Sequence, residues 1–134
     1  MPGGDFELDS YSVGTSQYTG SSYRTLRLTS VTQYHGITPE ATMFFGTWAP
    51  GMAFGWVLNV NVLAYVGHSI FTYLPLGEYR DIYDLVRSEK PLRFNYFYEE
   101  PPDPSTHIAR LTQAQVYTGL PEPPGEGPRD VSPP

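Results

Sequence analysis

Cysteine is absent from the 134 residues. That removes disulfides, thiolate nucleophiles and cysteine-ligated zinc or iron–sulfur sites together, and mildly favours a reducing compartment. Positive charge is scarce as well. Eight Lys and Arg stand singly along the chain against fourteen Asp and Glu, giving a formal charge of −6 and a pI near 4.8. A nucleic-acid binder needs a basic stripe to neutralise phosphates; none exists, so no nucleic-acid partner is expected. The opening MPGGDFELDS lacks the cationic and apolar regions of a secretory signal, which makes cytoplasmic the expected location. No internal repeat is visible.

Aromatic residues are abundant: 11 Tyr, 7 Phe and 2 Trp, or 15% of the chain. The total length fits one domain. Residues 1–22 run from FELDSYSV into the Tyr/Ser/Gly-rich YSVGTSQYTGSSY, an edge strand or an arm. Residues 23–117 carry strand and helix patterns and form the expected globular domain. Residues 118–134, proline-rich and glycine-containing, read as an extended tail.

The stretch from Gly55 to Leu74, GWVLNVNVLAYVGHSIFTYL, contains no Asp, Glu, Lys or Arg and is long enough for a membrane helix. Parity argues otherwise. Phe54, Trp56, Leu58, Val60, Val62, Ala64 and Val66 take even positions while Asn59 and Asn61 take odd ones, which is the period of a strand. One strand from 54 to 74 would run on the order of 70 Å, so the chain must turn. Gly67-His68 supplies a two-residue turn that sets Ser69 opposite Val66, Phe71 opposite Ala64 and Tyr73 opposite Val62. Trp56 and its even-numbered companions, joined by Phe71 and Tyr73, are then the expected core face, and no membrane span is expected.

Elsewhere the pattern is plainer. YRTLRLTSVTQY alternates Leu26 and Leu28 against Arg27, a half-buried strand. HGITPE is turn chemistry, ATMFFGTW a short apolar strand, and Pro50-Gly51 the central pair of a type II turn. Tyr79, Ile82, Tyr83 and Val86 stand at i, i+3, i+4 and i+7, which predicts one helix over about 78–89, stopped by Pro91. LRFNYFYE then alternates Leu92, Phe94, Tyr96 and Tyr98. HIARLTQAQVYTG is a last strand with a bulge that brings Leu111 and Val116 into one orientation.

The expected fold is mainly β: a small antiparallel barrel or highly curved sheet of about six or seven strands, with the helix before the last two. That order matches an OB-like barrel by analogy of topology alone, which says nothing about function.

Chemistry-bearing residues are few. His35, His68 and His107 share no ligand spacing, and Glu99, Glu100, Asp103 and His107 lack the alternation of a calcium loop, so neither metal nor cofactor is expected. No nucleophile elbow frames a serine. Asn59 and Asn61, on the second face of a central strand, either meet water or join Tyr65 and His68 in a polar ligand cavity. Leu63, Ile70, Leu74 and Phe97 fall opposite the assigned core face and are candidate interface residues. The leading expectation is a non-catalytic protein-interaction or self-assembly module, partnered by another protein or forming a homo-oligomer. A β-barrel binding a sugar or other small polar molecule is the alternative, and a cofactor-free barrel enzyme comes third.

Overall fold

The computed structural model describes residues 2–18, 21–34, 36–49, 51–62, 67–89 and 91–118. Seven strands close a barrel: β1 (Gly3–Tyr18), β2 (Ser21–Ser30), β3 (Glu40–Gly46), β4 (Gly55–Leu58), β5 (Ser69–Pro75), β6 (Leu92–Tyr98) and β7 (Ile108–Thr118). They neighbour one another in the order β1-β2-β3-β5-β4-β7-β6, with every pair antiparallel except β3 and β5. A single 3₁₀ turn, Leu76–Glu78, leads into α1 (Tyr79–Ser88), which precedes the last two strands as the sequence predicts. The barrel is fully closed, with more strands than the five of the partly open OB barrel.

Closure depends on β1. Its first part, Gly3 to Glu7, pairs with β6; from Leu8 to Tyr18 it pairs with β2. A register shift at Asp9 follows one residue after the change of partner, within the β1–β2 ladder, as bulges do where a strand must bend. Over its described residues the stretch 1–22 closes the barrel through Gly3 to Glu7 and runs on as a strand paired with β2 alone. Close approach also constrains β4, where a Cβ on Gly55 would collide with the carbonyl oxygen of Phe71.

Inward side chains fill the barrel. Leu26, Leu28, Phe45, Val57, Ile70, Phe94 and Leu111 are essentially inaccessible, and Met43, Phe6 and Tyr96 join them. Thr72 is the one fully buried polar side chain in this set, and its hydroxyl donates to the Phe54 carbonyl at 3.1 Å. No buried side-chain nitrogen or oxygen lacks a partner among the described residues. The helix covers one end: Val86 is buried, Tyr79 meets Phe45 edge-on at 5.2 Å, and Arg24 lies over the Tyr79 ring at 5.0 Å. Glu89 turns extended and ends the helix just before Pro91.

Several local expectations hold. Leu26 and Leu28 point in while Arg27 is exposed, and Gly51 has φ +84° with the Met52 N–H donating to the Ala49 carbonyl, as a type II turn requires. Leu92, Phe94, Tyr96 and Tyr98 share the inner side of β6. The bulge in β7 lies between the Phe97–Gln113 and Tyr98–Leu111 pairs, so Leu111 and Val116 both face the core despite their opposite parity.

Over 54–62 parity does not mark the core; Ala64 and Val66 lie outside the described residues. Val57 is fully buried, whereas Trp56 is 39% exposed and Phe54 37% exposed. Strand β4 ends at Leu58, because Asn59 and Asn61 adopt left-handed backbone with φ of 70° and 56°. Val60 turns inward from that bend rather than by alternation. The hairpin exists, but in another register: Trp56 pairs with Phe71 and Val57 with Ile70. The Tyr73 N–H donates to Phe54, so Tyr73 is not opposite Val62, and Gly67-His68 is not a two-residue hairpin turn. Phe71 and Trp56 do share a face. It is the outside of the barrel.

Candidate functional site

Asn59 and Asn61 are turn builders. Asparagine tolerates left-handed backbone better than other side-chain-bearing residues. The Asn59 amide donates to the Gly67 carbonyl at 3.0 Å and that of Asn61 to the Thr106 carbonyl at 3.1 Å, tying the bend to two neighbouring loops. His107 Nδ1 lies 2.9 Å from the Val60 carbonyl at the same end. Tyr65 and Leu63 lie outside the described residues, as does His35.

His68 is the one candidate with an aromatic setting. Its Nδ1 is 2.5 Å from the Tyr96 hydroxyl, and its ring meets Tyr96 and Tyr98 edge-on, each at 5.8 Å. Burial pushes its pKa below the ordinary imidazole value of 6.5, so the neutral ring is favoured. With the proton on Nε2, the Tyr96 hydroxyl donates to Nδ1.

The four interface candidates separate. Ile70 lies inside the barrel, fully buried between Ala41 and Val57, and so forms no outer surface. Leu74 is half-buried against the core. Phe97 alone of the described three stands on the outer side, half-buried in register with Gly3.

What the sequence did not reveal is a wall of rings outside β2, β3, β5 and β4. Residues opposite one another in a ladder share a face, so the register places Phe44, Phe71, Tyr73 and Trp56 together outside. Phe44 stacks on Tyr73 at 5.3 Å and on Phe71 at 6.2 Å. Tyr23 and Trp48 extend the cluster, Trp48 meeting Tyr73 at 5.5 Å and Tyr23 at 5.9 Å, while its indole N–H donates to the Leu74 carbonyl. Phe54 and Ile108 (52% exposed) continue the apolar surface at its β4 and β7 side. The available signal was alternation across the hairpin, which puts Phe71 and Tyr73 on the same face as Trp56.

The opposite side of the barrel differs in kind. Arg93 Nε donates to Asp5 Oδ1 at 2.5 Å, and the Tyr117 hydroxyl donates to the other oxygen of Asp5. The Asp5 carboxylate raises the pKa of both partners, chiefly through these hydrogen bonds. Asn95, Gln113 and Gln115 complete a polar exterior. Asp103 lies elsewhere, in the β6–β7 loop, where its carboxylate accepts from the Ser105 N–H and hydroxyl, each at 2.9 Å, which holds its pKa low. No group of three or more His, Asp or Glu placed to hold a metal occurs among the described residues, and no helix there is long and apolar enough to cross a membrane.

No protein-family model, no curated protein and no solved structure matches this chain.

Proposed function

We propose that this chain is a non-catalytic self-assembly module whose aromatic outer wall seats a second copy of itself. The observation that carries the reading is the one-sidedness of the barrel exterior: packed rings on β2, β3, β5 and β4, against ion pairs and amides with the separate rings of Phe97 and Tyr117 on β6, β1 and β7. An exposed apolar patch of several large side chains marks an interface far more often than an ordinary surface does. Aromatic residues also dominate interface energetics.

A second copy is favoured over an unrelated partner by charge. The chain as a whole carries −6, so two copies repel over most of their surface. The wall is the exception: its centre is uncharged, and Arg27, Glu40 and Arg110 at its borders mix both signs. A twofold arrangement sets the same patch against itself and can place Arg27 of one copy near Glu40 of the other. The ligand-binding alternative has less behind it, because the amides of Asn59 and Asn61 are engaged by backbone carbonyls.

Light scattering coupled to size exclusion tests the reading on the wild type and on Trp56→Arg. The substitution is on an exposed position, so the fold should survive. A dimer mass for the wild type and a monomer mass for the variant are expected. A strictly monomeric wild type at the highest attainable concentration overturns the reading. So would a monomer that co-sediments with lipid vesicles, since the wall would then meet lipid.

A further inference from the structure

Strand β1 carries a free edge. Up to Glu7 it has β6 on one side; from Leu8 onward its only strand partner among the described residues is β2. In an antiparallel ladder every second residue directs its N–H and C=O away from its partner, so Asp9 to Tyr18 leaves about five such residues facing outward. Native sheets guard an edge of this length with proline, lysine, a bulge or a covering element. Among the described residues the guards are the bulge at Asp9 and α1, whose Tyr83 ring meets Tyr11 edge-on at 6.1 Å; both act at the start of the edge. The following SYSVGTSQY contains neither proline nor charge. Tyr11 and Val13, in register with buried Leu28 and Leu26, remain 42% and 50% exposed even though Tyr11 meets the Tyr83 ring of α1.

A second feature lies at the foot of the same edge. A cavity of about 430 Å³ opens between β1 and the C-terminal end of α1. Leu8, Leu28, Val86 and Leu92 give it an apolar floor, and Asp9 and Glu89 stand at its rim. Arg87 also lines it, but that guanidinium is held by Asp84 at 3.1 Å and lies over the Tyr83 ring. Among the described residues the uncommitted rim charge is therefore negative. The volume is in the range of a pocket that takes one large side chain or a small ligand.

We propose that the Asp9–Tyr18 edge binds an extended peptide of another protein by strand addition, with one apolar peptide side chain in the cavity and a basic one against Asp9 and Glu89. Strand addition draws affinity from main-chain hydrogen bonds and specificity from pockets that receive alternate side chains. Both parts are here, side by side. The negative rim, in a chain of charge −6, selects a basic partner. The site is separate from the aromatic wall, so a monomeric mass would leave this proposal standing.

The probe is a capped nine-residue peptide alternating threonine and lysine around a central leucine. Its binding to the full chain is followed by calorimetry and by backbone amide exchange of Ser10 to Gln17. Saturable binding should slow exchange at alternate edge amides at least about tenfold, as newly hydrogen-bonded groups do. Alanine for the central leucine should weaken binding roughly tenfold. Glutamate for lysine should weaken it further, and Asp9→Asn with Glu89→Gln should abolish that preference for lysine. A peptide N-methylated on its pairing amides should fail. The proposal is overturned if edge exchange ignores the peptide, or if the methylated peptide binds as well. It is equally overturned if the edge amides are already slow in dilute free protein, or become slow with its concentration, for then the edge is covered from within or by another copy.

Discussion

Ile70→Ala and Trp56→Ala decide which side of the hairpin is the core. Ile70 is fully inaccessible, paired with Ala41 on one side and Val57 on the other. Truncating it removes three carbons from a filled barrel, about 2.5 kcal/mol in transfer energy at about 0.8 kcal/mol each. Neighbours held by two ladders cannot collapse into the space, so the cavity left behind raises the cost to about 3–4 kcal/mol. For a domain of this size that lowers the melting temperature by roughly 10–15 °C. Trp56 is the larger residue, yet it stands outside. Water fills the space its ring leaves, no cavity forms, and what is lost is partial contact with Phe71 and Arg110, about 1–2 kcal/mol. Chemical denaturation at protein concentrations low enough to exclude association measures both. If Trp56→Ala costs as much as Ile70→Ala, the inside–outside assignment of β4 and β5 is wrong.

Three further outcomes follow from individual contacts. Gly55→Ala should fail to give folded protein by circular dichroism, since its Cβ would meet the Phe71 carbonyl within the β4–β5 ladder. At Asn59, with φ of 70° and an amide donating to Gly67, Ala should cost about 2 kcal/mol and Gly about 1 kcal/mol in urea unfolding, because glycine relieves the backbone strain but not the lost hydrogen bond. The His68 pKa is lowered in the folded state, so its contribution is fully present above the unfolded value of 6.5 and is lost as pH falls from there through the folded pKa. Stability measured between pH 7 and 5 should therefore fall more steeply for the wild type than for His68→Gln; equal slopes would remove His68 as a source of acid sensitivity.

Most of the architecture was legible because it rests on short-range pattern. The helix at Tyr79–Ser88 follows from its 3.6-residue stripe and Pro91, and β6 from strict alternation. Even the β7 bulge could be read, since Leu111 and Val116 face the core only if one residue is inserted between them. The hairpin was half legible. Periodicity groups Trp56 with Phe71 and Tyr73, yet it cannot say whether a group of rings faces the core or the outside, and hydrophobicity points the wrong way when an exterior is aromatic. The left-handed bend at Asn59 and Asn61 was hidden for the same reason: both residues also fit the polar beats of a strand. The β3–β5 pairing and the β1 edge depend on contacts far apart in sequence. No local pattern encodes those.

Both tryptophans of the chain, Trp48 and Trp56, lie in the aromatic wall, so the intrinsic fluorescence reports directly on whether a second copy covers it. The decisive measurement is acrylamide quenching of Trp48→Phe protein, in which Trp56 is the only emitter, across a dilution series. Self-assembly through the wall predicts a shielded, blue-shifted Trp56 at high concentration that becomes quenchable and red-shifted on dilution, in step with the loss of dimer mass. Quenching that is equally strong at every concentration would contradict the account.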